Sequence, residues 1–384
     1  MYNELLKSLP VPSDDKTGWP WRQDPPLSVY SHRFEWPKIS IVTPSYNQGI
    51  FLEETLRSIL LQNYPNLELI VIDGGSKDNS VEIIKKYEPW ITYWISEKDK
   101  GQSDAINKGT RKATGEILNW INSDDLLTPG SLKKVAEIFS QQADDVGLIH
   151  GGTVLFTSKK VLRNDWGVED PSLERYLAGI AFSQPSSFFL KKYFDMVGGQ
   201  VSENLHYGMD YDLYCRLACV CKFVPVNDIF TKYRYHDNSK SVAEQHKFIG
   251  DWSRSFVNLC KNVKWDDLLS TIKNDNILEQ EIFSYHYPFP FHVNEELIDK
   301  ADKKRVLFYH YCYVLKAAYL AGERKKAREI VILLKKKFSR EMLNAEKYIP
   351  QILVRLKLPE SVLSFIIGLK KNYQNLFAGK QTSK

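Results

Sequence analysis

The chain has 384 residues, 43% of them apolar, 26% charged and 13% aromatic. That balance excludes a wholly disordered chain and a disulfide-stapled mini-protein, and the length allows one large domain or two to three ordinary ones. Net charge is +5 but uneven: residues 301–384 carry 19 Lys and Arg against 6 Asp and Glu, and the first 300 carry 33 against 41. An acidic body joined to a basic tail predicts two functional units.

Residues 1–36 are rich in Pro and Trp (GWPWRQDPP, 18–26) and read as an irregular arm laid over the body. KISIVTPS (38–45) is an apolar run ending in a Pro-Ser turn, the signature of a buried strand. IFLEETLRSILLQ (50–62) has helical spacing, and LELIVIDGGS (67–76) is a second strand closed by Gly-Gly. SVEIIKKY (80–87) is helical and ITYWISE (91–97) is a third strand. GQSDAINKGTRKA (101–113) reads as a helix, and EILNWINSDD (116–125) as a strand ending in carboxylates. A helix in LLTPGSLKKVAEIFSQ (126–141) and the strand VGLIHGGTVLF (146–156) follow. After residue 160 the rhythm loosens. Residues 173–180, 191–198 and 209–220 read as helices, and KFVPVN (222–227) as a last strand. Residues 246–300 mix helix signals with aromatic YHYPFPFH (285–292). Residues 301–340 form two amphipathic helices meeting at Ala321-Gly322, and SVLSFIIGLKKNY (361–373) is a final amphipathic segment.

Strands alternating with short helices predict an α/β, Rossmann-like fold: a mostly parallel central sheet with helices on both faces, plus a C-terminal helical region. Ligands bind beyond the carboxyl ends of such strands. The polar clusters Ser45-Tyr46-Asn47, Asp73 to Ser76, Glu97 to Lys100 and Asn122 to Asp125 sit at those ends and predict one lined crevice. Neither GxGxxG nor GxxxxGK[ST] follows a strand, which disfavours dinucleotide and P-loop sites. Asp73 either accepts a bond from a ribose hydroxyl or base N–H, or closes an Asp-Gly turn. Lys100 either balances a base or phosphate or is an ordinary surface lysine. Asp104 either bonds a ribose or base edge or sits favourably in a first helical turn. Adjacent Asp124 and Asp125 are costly side by side unless a cation neutralises them; a hard divalent ion and a helix N-cap both account for them. Asp210 and Asp212 flank Tyr211, so one faces the crevice, where it could act as general base, and the other meets Arg216 or solvent. His236 is a lone histidine in a polar loop.

Together the segments ISIVTPSYNQ, LELIVIDGGSKDNS, SEKDKGQSDAINKG, ILNWINSDD, QPSSFFLKKYFDMVGG, LHYGMDYDLYCRLA and YRYHDNSKS resemble, in order, the family 2 glycosyltransferases, inverting enzymes with the GT-A fold. The resemblance covers about residues 38–242. It implies that Pro44, Tyr46 and Asn47 line the nucleotide end of the first strand and that Asp73 contacts the nucleoside. It places Lys100 and Asp104 at base and ribose. Asn122-Ser123-Asp124 occupies the DxD position, with Asn in place of the first acid. Asp124, Asp125 beside it and His236 are the implied ligands of Mn2+ or Mg2+. Asp210 matches the catalytic base, and Met209 stands where the family has Glu. Gln184, Pro185 and Ser186 lie where acceptor and donor sugar meet.

The expected domains are an arm (1–36), a GT-A catalytic domain (37–245), a connecting region (246–300) and a basic helical region (301–384). The expected reaction moves a sugar from a nucleotide-diphosphate sugar, with UDP favoured, to a hydroxyl of a saccharide or lipid-linked saccharide in cell-surface polysaccharide synthesis. The rivals are a catalytically silent nucleotide-sugar-binding module, which Asn122 and Met209 favour, and a membrane-associated assembly protein. A sugar-phosphate nucleotidyltransferase would need a Gly-rich loop, which TPSYNQG lacks. RKKAR (324–328) and LKKKF (334–338) suit an anionic membrane surface, an acidic partner, a homodimer interface or a solvated face. No nucleic-acid motif accompanies that charge. MYNELLKSLP lacks the apolar core of a secretory signal, and five sparse cysteines fit inert thiols in a reducing cytoplasm. A cytoplasmic protein is expected, peripheral on the inner face of the plasma membrane if the basic helices dock there.

Overall fold

The computed structural model of the chain describes residues 8–22, 30, 34–236, 247–287 and 289–359. The segment expected at 361–373 lies outside the described residues, as does the stretch after His236 in YRYHDNSKS. The strand–helix rhythm of the first third appears within a few residues of its expected bounds. β1 (Ile39–Ser45), α1 (Gly49–Leu60), β2 (Leu67–Asp73), α2 (Ser80–Tyr87), β3 (Tyr93–Ser96), α3 (Gln102–Lys112) and β4 (Ile117–Trp120) follow in turn. β1 lies between β2 and β4, β3 flanks β2, and all pair in parallel. Both faces of these strands are apolar because both are covered. Ile39 and Ile41 pack with Leu52 and Leu56 on one face, while Val42, Ile70 and Ile72 pack with Ile106 on the other. α3 lies so close to β1 that a Cβ at Gly109 would fall 2.3 Å from a Val42 methyl carbon.

Beyond β4 the pairing changes. β5 (Leu126–Leu127), α4 (Ser131–Phe139), β6 (Val146–Phe156), β7 (Val161–Asp165), α5 (Leu173–Ala178), β8 (Ser187–Leu190), α6 (Lys191–Met196), α7 (Met209–Leu217) and β9 (Lys222–Arg234) complete the sheet. Among the described residues it has nine strands in the order β3-β2-β1-β4-β8-β6-β9-β5, with β7 on β6. β8 is antiparallel to both β4 and β6, β9 is parallel to β6, and β5 and β7 are antiparallel edges. β5, β7 and β8 carry no strand signal in the sequence. They are short, and β7 is exposed and polar, so neither run length nor alternation marks them. β9 runs seven residues past its expected end at Asn227, to Arg234.

The C-terminal part is helical: α8 (Phe248–Asn262), α9 (Asp266–Asp275), α10 (Glu295–Ile298), α11 (Lys303–Leu320), α12 (Arg324–Lys337), α13 (Arg340–Ala345) and α14 (Tyr348–Lys357). α11 and α12 meet at Ala321-Gly322 as expected, with Gly322 at φ 79. One apolar cluster runs from Val42 and Leu118 through Leu177 to Leu315, Ile330 and Ile352. The helices after residue 301 therefore share their core with the sheet. A buried ion pair between Arg175 and Glu346 ties α5 to the turn before α14. All five cysteines are free and buried.

The arm is held by one arginine. Arg57, 1% exposed on α1, donates to the carbonyls of Pro10 (2.9 Å), Pro20 (3.1 Å) and Trp21 (3.3 Å), and Trp19 donates to Leu127 O (2.9 Å). Arg57→Ala is expected to cost about 2–3 kcal/mol through the orphaned carbonyls. It should also make the 8–22 segment sensitive to limited proteolysis; an unchanged urea midpoint would remove Arg57 from this role.

Two buried histidines brace α5. His150 of β6 lies 2.9 Å from the Tyr176 hydroxyl, and His310 Nδ1 of α11 donates to Ala178 O at 3.0 Å. Burial lowers His150 to about 3; burial lowers His310 to about 4, with the Ala178 bond opposing. Unfolded histidines titrate near ~6.5, so the unfolded chain takes up protons first. Their stability contribution is whole above that pH and falls as pH drops toward 4. The expected slope is up to ~1.4 kcal/mol per pH unit per histidine. His150→Gln should flatten it in urea titrations repeated across pH.

Candidate active site

A cleft of about 1120 Å³ opens along the carboxyl ends of the parallel strands. Pro44 lies at the end of β1 and Tyr46 follows it, Gly74 follows β2, Asp99 lies between β3 and α3, and Gln102 opens α3. Asn122, Ser123 and Asp124 follow β4. Gln184, Pro185, Met209, Asp210 and His236 close in from the second half of the sheet. The crevice that the polar strand ends predict is therefore present, with Asp124 and Asp210 in its lining.

The two adjacent acids point opposite ways. Asp124 Oδ2 lies 2.9 Å from His236 Nε2 in the cleft wall. Asp125 is 1% exposed and turns inward. Its Oδ1 accepts the Arg234 N–H at 3.0 Å and its Oδ2 the Asn122 amide at 3.3 Å. Burial pushes its carboxyl well above the usual range, and the charge of Asp124 adds to this. The expectation of Asp125 as a metal ligand is corrected: a fully buried carboxyl engaged by backbone does not reach the cleft. Among the described residues no group of three or more His, Cys, Asp or Glu is gathered to hold a metal. Of the expected metal set, Asp124 and His236 stand side by side.

Arg234 organises this corner, and the sequence reading passed over it. Its Nε donates to Asp124 O at 2.9 Å, and its Nη2 meets Glu54 at 2.6 Å. Its guanidinium lies over the rings of Phe51 and Phe156 at 4.7 and 4.4 Å. The signal was an Arg among aromatics in KYRYH, hidden because the strand was taken to end earlier.

Four other expected contacts do not line the cleft. Asp73 is fully buried and accepts from the N–H groups of Gly75 (3.1 Å) and Ser76 (2.9 Å) and from Ser96 Oγ (2.7 Å). Its carboxylate closes the turn after β2. Asn47, at φ 51, accepts from Lys77 N at 2.8 Å and pins the facing loop. Lys100 projects outward, 3.5 Å from Glu203. Asp104 is occupied by Lys100 N (3.1 Å) and Lys108 (3.4 Å) within its own helix end. In the 97–100 cluster the acid in the lining is Asp99, whose Oδ2 would lie 2.6 Å from a Cβ at Gly74. Burial pushes its carboxyl up; the Gly101 N–H opposes this, and Asp104 and Asp73 add to it. The polar cluster 97–100 contained Asp99, but Lys100 drew the reading because a cation suits a phosphate.

On α7 the two acids separate. Asp212 forms a fully buried pair with Arg216 at 2.8 Å, and Arg216 also donates to the carbonyls of Val197 and Gln200. Asp210 is half-buried and faces the cleft, its Oδ1 accepting the Tyr211 N–H at 2.8 Å. Gln184 is held at the floor by Trp120 O (2.9 Å) and Asn119 (3.2 Å).

The chain matches Glycosyl transferase family 2 over residues 40–185. It is 31% identical over 230 residues to an uncharacterized glycosyltransferase of Mycobacterium tuberculosis H37Rv, covering 57% of this chain and 86% of that one. It is 26% identical over 276 residues to an uncharacterized glycosyltransferase of Rickettsia conorii, covering 68% of this chain and 42% of that one, so it spans about two-fifths of that relative's length. In structure it is similar to S. aureus TarS 1–349 in complex with UDP, at 15% identity and TM-score 0.47, covering 78% of this chain and 90% of that one. The chain belongs to glycosyltransferase family 2.

Arg234→Gln would leave Glu54 without its ion-pair partner and remove the nearby positive charge from buried Asp125, which keeps the backbone N–H of residue 234. A loss of about 3–5 kcal/mol is expected, the scale of breaking a buried pair. An unfolding midpoint within error of wild type would show that the corner stands without it.

Proposed function

We propose that this glycosyltransferase is an inverting enzyme that moves a sugar from a nucleotide-diphosphate sugar to a hydroxyl of a saccharide or lipid-linked saccharide. The observation that carries the reading is that Asp124 and Asp210, distant in sequence, line one cleft. The strand-end side of that cleft supplies the donor site: Tyr46, Asp99 and Gln102 surround the nucleotide, with UDP favoured. Asn122 Oδ1 accepts the Gln102 amide at 2.8 Å, which holds both amides in place before a donor binds.

Asp124 and His236 form an oxygen–nitrogen pair that suits Mn2+ or Mg2+ held jointly with the donor's diphosphate. When bound, such an ion would offset charge on the departing diphosphate. Asp210 takes the proton from the acceptor hydroxyl. That oxygen bonds to the anomeric carbon as the carbon–diphosphate bond breaks on the opposite face, and the configuration inverts. The proton transfer contributes on the order of 10²–10⁴-fold. Met209 leaves Asp210 without a second acid beside it, the feature that favours the silent-module rival; release of UDP from a nucleotide sugar separates the two.

We also place the enzyme at an anionic membrane face, in cell-surface polysaccharide synthesis. α12 presents exposed Lys325, Arg328, Lys335 and Lys336 around Ile332, which is 68% exposed. Basic amphipathic faces bind anionic interfaces reversibly. Among the described residues no helix is long and apolar enough to cross a membrane.

Asp210→Asn is expected to reduce transfer at least about 10²-fold while UDP affinity survives. Near-normal turnover would remove the base. Asp124→Ala is expected to lose Mn2+-dependent UDP affinity; calorimetry showing the wild-type constant would contradict the assignment.

A further inference from the structure

The cleft exceeds the needs of one substrate, and its far wall lies outside the matched family segment. Single-ligand pockets run to roughly 300–1,000 Å³, against about 1120 Å³ here. Phe248 and Trp252 of α8, Tyr313 and Lys316 of α11 and Tyr348 of α14 all reach the lining. With Tyr207, before α7, they make a continuous aromatic surface. Ring centroids lie 5.4 Å apart for Tyr207 and Phe248, 5.8 Å for Phe248 and Trp252, and 6.3 Å for Trp252 and Tyr313.

The surface is rigid and close to the proposed base. The Tyr313 hydroxyl donates to Ile180 O at 2.9 Å, and its ring packs on Gly179, where a Cβ would fall 2.1 Å from it. Tyr207 N donates to Asp251 at 2.8 Å, and a Cβ at Gly208 would come 3.0 Å from Trp252 Cδ1. The wall therefore begins within two or three residues of Asp210. The Trp252 indole N–H is buried behind this surface, so what the residue offers the cleft is its ring.

We propose that this wall is the acceptor subsite and that it takes a pyranose. One face of a pyranose is largely C–H and lies flat on aromatic rings, while its hydroxyls need polar tips. The tyrosine and tryptophan rings supply the flat apolar surface, and Lys316 in the same lining supplies a polar group. A sugar against Trp252 and Tyr207 presents a hydroxyl toward Asp210. The inference rests on the reading of Asp210 as base, and it assigns acceptor selection to helices outside the matched segment.

The test uses the full chain with methyl β-D-glucopyranoside and methyl N-acetyl-β-D-glucosaminide as probes. Binding is followed by saturation-transfer NMR, and UDP binding by calorimetry on the same samples. Saturation is expected to reach one face of a bound pyranose. Trp252→Ala should weaken sugar binding about tenfold. Trp252→Phe should retain most of it, and UDP affinity should stay unchanged in both. If Trp252→Ala fails to fold in a melting scan, Tyr207→Ala, in a loop, carries the same expectation. Undiminished sugar signal in the alanine variants overturns the subsite. So does a wild type that binds UDP and neither glycoside. Glycoside binding without UDP binding overturns the donor reading and leaves the subsite standing.

Discussion

The direction of Asp124 is set by the burial of its neighbour. Two carboxylates in succession cannot both sit in a low-dielectric corner without compensation. Asp125 takes the interior because Arg234 offers it a backbone N–H and a nearby charge, with Asn122 adding an amide. The turn then has one outward carboxylate, and it emerges beside His236. Arg234 is fixed in turn by Glu54 and two aromatic rings. The Asp124 corner of the cleft thus depends on a buried charge cluster behind its wall.

The same division of labour recurs across the sheet. Asp73 spends its oxygens on the turn after β2, which leaves Gly74 flush with the cleft and Asp99 exposed to it. Asp212 neutralises Arg216 inside α7, and Asp210 keeps the open side. In each place one acid builds the scaffold and another faces the cleft. Hydrogen-bond satisfaction decides which, since a buried carboxylate without partners would be too costly.

The C-terminal helices serve two faces. Their inner residues extend the apolar cluster and bring an aromatic wall to the cleft, while their outer residues carry the excess positive charge. The charge asymmetry along the chain marks an outer surface more than a separate body. The acidic sheet-bearing part and its basic helical cover share one hydrophobic interior, which couples the stability of the two.

The alternation of strands and helices through residue 120 was legible because it is local: side-chain period and turn residues report it within a dozen positions. The polar strand ends, Asp124 among them, followed from that topology, whereas Asp210 was assigned from its place at a helix start and from the family resemblance. What the sequence left open is what packing over distance decides. Asp124 and Asp125 are equal in composition, and only a partner 109 residues on, Arg234, separates them. β5, β7 and β8 are too short to signal themselves and exist because β6 and β9 offer edges. Tyr313 falls in a segment that reads as an amphipathic helix, and Trp252 and Tyr348 carry no signal of their own. Burial of a shared apolar core brings their helices together, and helical period carries no record of which neighbour a face will meet.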